Sequence, residues 1–168
     1  MVNQSDILKS INAALCEITD PELPCSIVDL GLVEDVRIHK GHTAIITLLP
    51  TFSGCPALDM ITNDVTKRIE DLPQIKSCRV DWIFNPAWTT DRISEAGRAS
   101  LKAHGVTVAK HEDQLENQVP LTTSVIACPF CKSNQTRLDS PFGPTRCRMI
   151  YYCEACQNSF EHMKRLDV

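Results

Sequence analysis

Cys128-Pro129-Phe130-Cys131 and Cys153-Glu154-Ala155-Cys156 are two Cys-x-x-Cys pairs with 21 residues between them. Two residues between cysteines let both thiolates of a knuckle face one tetrahedral ion, and two knuckles supply the four sulfurs of a structural zinc site. A closed shell of four thiolates leaves no open coordination position, so its chemistry is folding and not catalysis. Zinc is the default occupant; a rubredoxin-like ferric ion takes the same four sulfurs, so iron stays open. Cys147 and His162 are spare ligands close in sequence, and Cys147 reads more readily as a small buried side chain.

A separate cysteine lies in Ser53-Gly54-Cys55-Pro56. Proline favours the first helical position, which predicts Cys55 as the N-cap of a helix. Unpaired N–H groups and the positive end of the helix dipole would stabilise a thiolate there, lowering the thiol pKa and making Cys55 a nucleophile or soft-metal ligand. The competing reading is a small buried cap. Asp20, Glu22 and Asp29 are candidate acidic neighbours on the same loop face, with turn formation as their competing role. Cys16 and Cys78 fall in apolar patterns and read as core, whereas Cys25, after Pro24, could approach Cys55. The chain shows no Ser/His/Asp order, phosphate-cradling glycine loop or His-rich catalytic metal signature. His39, His42, His104 and His111 all fall in turns, ends or a linker.

The elements that must position these cysteines follow from periodicity. Ser5 as N-cap, then Ile7, Leu8, Ile11 and Leu15, predicts a helix with one apolar face. Asp20-Pro21-Glu22-Leu23-Pro24 ends it, and two prolines predict an ordered loop over 20–32. Val33 to Ile38 and Thr43 to Leu49 read as a hairpin with Gly41 in its turn. Leu58, Ile61, Val65, Ile69 and Leu72 predict a second helix. Cys78, Val80, Trp82 and Phe84 alternate as a strand with one buried face. A third helix is expected from Asp91, using Ile93, Ala96 and Leu101 and ending at Gly105. The order α-β-β-α-β-α defines a small α+β domain over 1–105. Residues 106–124 read as an acidic linker, and 125–168 as a β-rich four-cysteine zinc ribbon. In the ribbon Pro141-Phe142-Gly143-Pro144 turns into β-prone Arg148 to Tyr152. So short a module needs its metal to fold.

Composition agrees with this division. The 168 residues include 9 cysteines, an odd number that cannot close into pairs. No apolar run reaches 18 residues, and no basic stretch leads into an apolar core at Met1 to Leu15. The expectation is a cytoplasmic protein without a membrane partner, whose cysteines serve metal or thiol chemistry. Net charge is −4 overall, with −4 over 1–105, −2 over 106–124 and +2 over 125–168. Nucleic acid is disfavoured: the ribbon has Arg137, Arg146, Arg148, Lys164 and Arg165, but aromatic stacking platforms make up only 5% of the chain. Phe130, Phe142, Tyr151, Tyr152 and Phe160 exceed what a small ribbon core needs, which fits protein docking.

Three segments carry a family resemblance: Asp20-Pro21-Glu22-Leu23-Pro24, Ser26-Ile27-Val28-Asp29-Leu30-Gly31-Leu32-Val33, and Thr51-Phe52-Ser53-Gly54-Cys55-Pro56-Ala57. They resemble the small α+β domain of iron–sulfur cluster assembly factors. With Pro86-Ala87-Trp88-Thr89-Thr90-Asp91-Arg92-Ile93-Ser94, Ser140-Pro141-Phe142-Gly143-Pro144-Thr145 and the four ribbon cysteines, nearly the whole chain resembles a phenylacetate-degradation branch of that family. Leu49-Pro50 departs from an expected Thr-Pro pair, which bears on strand-end packing only. The resemblance implies an accessory protein of the multicomponent phenylacetyl-CoA epoxidase, whose oxygenase or reductase components would be its partners. The chain carries neither paired Glu-x-x-His sequences nor a nucleotide-binding glycine loop, so neither catalyst nor reductase is implied. The implied role is iron–sulfur cluster or iron delivery through Cys55, with Asp20, Glu22 and Asp29 around it; a structural or docking subunit is the alternative. A transient cluster is implied as cargo, and a cluster shared by two copies of Cys55 would require a homodimer.

Overall fold

The computed structural model describes residues 3–39, 42–108 and 126–164. Helix α1 spans Gln4–Cys16 and is capped by Asn3, whose side chain accepts from Ser5 N–H, so the cap lies two residues before the expected Ser5. Ile7, Ile11, Ala14 and Leu15 form its buried stripe, and Cys16, expected in the core, is exposed at its end. The following loop is ordered by its own hydrogen bonds. Asp20 Oδ1 accepts from the N–H groups of Glu22 and Leu23 at 2.8 and 2.9 Å, and Asp20 N–H donates to Cys25 O at 2.9 Å.

Strands β1 (Val33–His39) and β2 (Thr43–Leu48) pair antiparallel as the expected hairpin. His42 takes the left-handed conformation in its turn (φ 64°); Lys40 and Gly41 lie outside the described residues. Helix α2 (Leu58–Glu70) buries Ile61, Val65 and Ile69, and its chain returns to β3 (Ser77–Trp82), parallel to β2. The sheet order is β1-β2-β3. Phe84, expected on the buried face, lies beyond β3 and is 57% exposed. Leu49, at the departure from the family pattern, is buried and donates its N–H to Leu32 O at 2.8 Å, a strand-end contact.

The third helix starts later than periodicity suggested. A short 3₁₀ turn, Thr90–Arg92, precedes α3 (Glu95–Ala103), because Ser94 is the cap and accepts from Gly97 N–H. Ile93 is buried but stands outside the helix, while Ala96 is exposed and Gly97 takes the inner face. A close approach explains Gly97: an added Cβ would lie 2.7 Å from Asp29 O. The 86–94 segment clamps the 26–34 loop through Trp88 Nε1–H to Leu30 O and Arg92 Nε–H to Gly31 O, both 2.9 Å.

Residues 106–108, expected to begin a linker, form strand β4 (Val106–Val108), which pairs parallel with β7 (Ser159–Met163). The ribbon contributes β5 (Thr136–Ser140), β6 (Arg148–Cys153) and β7 (Ser159–Met163), and the second sheet is ordered β4-β7-β6-β5. Gly105, in the left-handed region at φ 77°, accepts from Glu161 N–H at 2.9 Å. Val106 and Met163 belong to the same buried core as the inward residues of α1, β2 and α2. A smaller core of Cys128, Tyr151, Cys153 and Phe160 lies in the ribbon. Residues 109–125, including His111, lie outside the described residues, as does Arg165.

Candidate functional site

The four ribbon cysteines converge. Their sulfurs all lie within 4.8 Å of one another, with Cys128 Sγ 3.7 Å from Cys156 Sγ and Cys131 Sγ 3.6 Å from Cys153 Sγ. A tetrahedral zinc bound at about 2.3 Å requires sulfur separations of roughly 3.8 Å, so the donor set and the spacing both fit a four-thiolate ion.

Two matching knuckles build this arrangement. Cys128 N–H donates to Ser133 O and Lys132 N–H returns to Cys128 O; Cys153 N–H donates to Asn158 O and Gln157 N–H returns to Cys153 O. In each, the residue after the second cysteine is left-handed, Lys132 at φ 65° and Gln157 at φ 57°. Glu154 N–H donates to Gln135 O at 2.8 Å and ties one knuckle to the residue that joins the other to β5. His162 stands apart from the four sulfurs, with Nδ1 2.8 Å from Thr107 Oγ1 and its ring edge-on to Tyr151. It belongs to the β4–β7 seam.

Cys55 is not the N-cap of α2. Ala57 occupies that position without a side-chain cap bond, and Cys55 instead closes a turn, its N–H donating to Phe52 O at 3.1 Å. The predicted dipole activation is therefore replaced by the opposite effect. Burial pushes the Cys55 thiol up, against a backbone hydrogen bond at Ala57, and negative charge from Glu22, Asp20 and Cys147 adds to the rise.

The neighbours of Cys55 come from three segments. Glu22 reaches it from the Asp-Pro-Glu loop, Phe52 from its own turn, and Thr145, Arg146 and Cys147 from the ribbon, around a crevice of about 10 Å³. Arg146 stacks over the Phe52 ring at 5.9 Å. On the other side of Glu22 lies an open cleft of about 460 Å³, lined by Asp20, His104, Arg148 and Glu161 among others. Burial raises the Asp20 carboxyl above its ordinary value, opposed by its two backbone hydrogen bonds and by Arg148.

The other sequence candidates separate. Asp29 is engaged elsewhere: its carboxylate accepts from Ser26 Oγ at 2.9 Å and Ser94 Oγ at 2.6 Å, fastening the loop to the start of α3. Cys25 is buried with its sulfur against Gly97 of α3, and burial, then Asp29 and Asp20, push its thiol up to about 11. Cys78 is packed beside the core, its thiol raised to about 11 by burial and then by Glu70. Cys147 and Arg148 were missed as neighbours of this loop. The acidic loop face was the available signal, because Arg148 is the kind of charge that a buried Asp20 draws.

Among the described residues, the basic side chains of the ribbon are engaged. Arg137 pairs with Asp139 and Glu154, Arg148 with Glu161, and Lys164 lies 5.0 Å from the Phe142 ring centroid. Among the described residues that leaves little free charge for phosphate tracking. No helix among the described residues is long and apolar enough to cross a membrane.

Comparison with known proteins matches two stretches of the chain. Residues 8–82 match the family model described as "Iron-sulfur cluster assembly protein", and 112–164 the one described as "PaaD zinc beta ribbon domain". An Escherichia coli (strain K12) protein whose name assigns it to the 1,2-phenylacetyl-CoA epoxidase is 32% identical over 153 residues, 90% of this chain and 89% of that one. The Bacillus subtilis (strain 168) "Fe-S protein maturation auxiliary factor YitW" is 39% identical over 93 residues, 55% of this chain and 91% of its own. The crystal structure of a "Domain of Unknown Function DUF59" from Bacillus anthracis superposes with a TM-score of 0.56 at 34% identity, covering 58% of this chain and 93% of that one.

Proposed function

The chain belongs to the family of iron–sulfur cluster assembly proteins that carry a PaaD-type zinc β-ribbon, and from that membership we propose that it matures an iron–sulfur or iron enzyme of phenylacetyl-CoA epoxidation. Cys55 is the transfer residue, meeting cluster or iron as cargo. Glu22 and Asp20 supply negative charge beside it. The ribbon holds zinc through Cys128, Cys131, Cys153 and Cys156, which supplies folding energy on the order of 10 kcal/mol to a module too small to fold without it. A half-buried, protonated thiol suits transient contact: it stays unreactive until a metal displaces its proton.

The single observation that carries this reading is the placement of Cys55 at a crevice rimmed by Glu22 and by the ribbon. The reading is tested by reconstituting the epoxidase reductase and oxygenase components anaerobically with this chain or with Cys55→Ser. The expected result is higher iron and sulfide occupancy in the client with the unaltered chain. Equal occupancy in both reactions overturns it.

A second reading, a docking subunit of the epoxidase, is favoured by Phe142 and Phe130, which are 74% and 52% exposed on the ribbon. A stoichiometric complex that survives size-exclusion chromatography, with client occupancy unaffected by Cys55→Ser, supports docking over maturation. Sedimentation of the chain alone tests the homodimer that a cluster shared by two copies of Cys55 requires.

A further inference from the structure

We propose that Cys147 of the ribbon is the second thiol of the Cys55 site, so that one chain holds a thiophilic iron ion, free or as one iron of a cluster, between its two units. This rests on the maturation reading and names how the site is completed. Cys55 and Cys147 are 92 positions apart in sequence. They nevertheless line the same crevice, which Glu22 also borders.

Each wall has its own support. Thr145 Oγ1 lies 3.1 Å from Cys147 Sγ, and Arg148 N–H donates to Thr145 O at 3.2 Å, so the turn before β6 is fixed on the strand that leads to Cys153. Lys164 N–H donates to Cys147 O at 2.8 Å, fixing the same turn to the end of β7. Arg146 over Phe52 closes the turn onto the Cys55 loop. The free space of about 10 Å³ is the size of one atom or one water, too small for an organic ligand. A pair of soft thiolates suits iron, cobalt or zinc over magnesium or calcium. Binding one divalent ion releases the two thiol protons to solvent, and no electron transfer is involved.

This also gives the zinc ribbon a reason to be attached. Its tetrathiolate shell shapes the hairpin that presents Cys147, so the structural ion positions a ligand for the cargo ion.

The test uses the full chain, reduced and anaerobic, with one zinc already in the ribbon, titrated with Co²⁺ as a coloured stand-in for ferrous iron. The expected result is one further equivalent of Co²⁺ with thiolate-to-cobalt charge-transfer absorbance. Cys147→Ser and Cys55→Ser should each abolish that band while zinc content and circular dichroism stay at wild-type values. Retention of the full band by Cys147→Ser overturns the proposal, and so does one Co²⁺ per two chains. Should Cys147→Ser lose its zinc, the thiol-bridging reagent dibromobimane applied to the zinc-loaded wild type decides. A Cys55–Cys147 cross-linked peptide supports the proposal, and its absence overturns it. A client that is matured normally by Cys147→Ser but not by Cys55→Ser defeats this inference alone, whereas equal maturation by all three defeats the functional reading beneath it.

Discussion

The Arg146 guanidinium stands 5.9 Å from the centroid of the Phe52 ring, so the ribbon turn lies directly over the loop that carries Cys55. Such a contact is worth about 0.5–1 kcal/mol at an exposed site. It does not act alone. Met163 at the end of β7 is fully buried in the main core, and β4 extends the ribbon sheet from the chain that leaves α3. Ribbon and assembly domain thus share a sheet, a core and one crevice, and perturbing one unit should be felt in the other.

Metal removal should show that coupling. Cys128→Ser leaves three thiolates and is expected to drop zinc from one equivalent to none, with loss of solubility. A chelator should do the same to the wild type. Because β7 carries Met163, the melting temperature of the assembly domain should fall as well, a loss of about 2–5 kcal/mol if the Met163 site is vacated. Cys55→Ser should keep both zinc and melting temperature. Metal analysis with differential scanning calorimetry reads all of these.

Thiol reactivity should follow burial. Cys16 is exposed at the end of α1, whereas the Cys25 and Cys78 thiols are raised from 9.0 to about 11. Two pKa units mean about a hundredfold less thiolate at a given pH below both values. In the zinc-loaded protein, iodoacetamide should label Cys16 first and leave Cys25 and Cys78 unmodified longest. Timed alkylation with peptide mass spectrometry gives the order, and early labelling of Cys25 would contradict its placement against Gly97.

Gly31→Ala should be costly. Gly31 is left-handed at φ 69°, and an added Cβ would lie 2.4 Å from Arg92 O. Left-handed backbone alone costs an alanine about 1–2 kcal/mol, and the collision with backbone adds to it. The expected loss is roughly 3 kcal/mol in urea unfolding, with Arg92 displaced from its bonds to Gly31 O and Glu34.

What the sequence disclosed depended on how local each constraint is. The ribbon knuckles were legible because two-residue spacing and tetrahedral geometry leave few alternatives. The Ile61, Val65 and Ile69 stripe was legible because helical period is a property of neighbours. Helix starts were not. Pro56 suggested a cap at Cys55, yet the chain continues its turn to Ala57, and Ser94 wins over Asp91 because its hydroxyl reaches Gly97 N–H. Strand β4 was hidden for a related reason: Val106–Val108 is too short for periodicity, and its partner lies in β7, more than fifty residues on. The Cys147 wall of the crevice is likewise set by tertiary packing, to which spacing is blind.

The Asp20 carboxyl gives the pH test. Its pKa is raised from 3.8, mainly by burial, so the folded chain binds this proton more tightly than the unfolded chain does. A raised carboxyl contributes stability that is present below its unfolded pKa and lost as pH rises through the folded one. Asp20→Asn keeps an Oδ1 acceptor for the Glu22 and Leu23 N–H groups but removes the titration. The stability of wild type relative to Asp20→Asn should therefore be highest in acid, fall as pH rises through the carboxylate range, and level off toward neutrality. Urea unfolding of both proteins over that range measures the difference, so that effects common to the two, such as acid release of zinc, cancel. A difference that grows with pH would mean that Arg148 outweighs burial at Asp20, and that the cleft beside Glu22 holds a stabilised carboxylate.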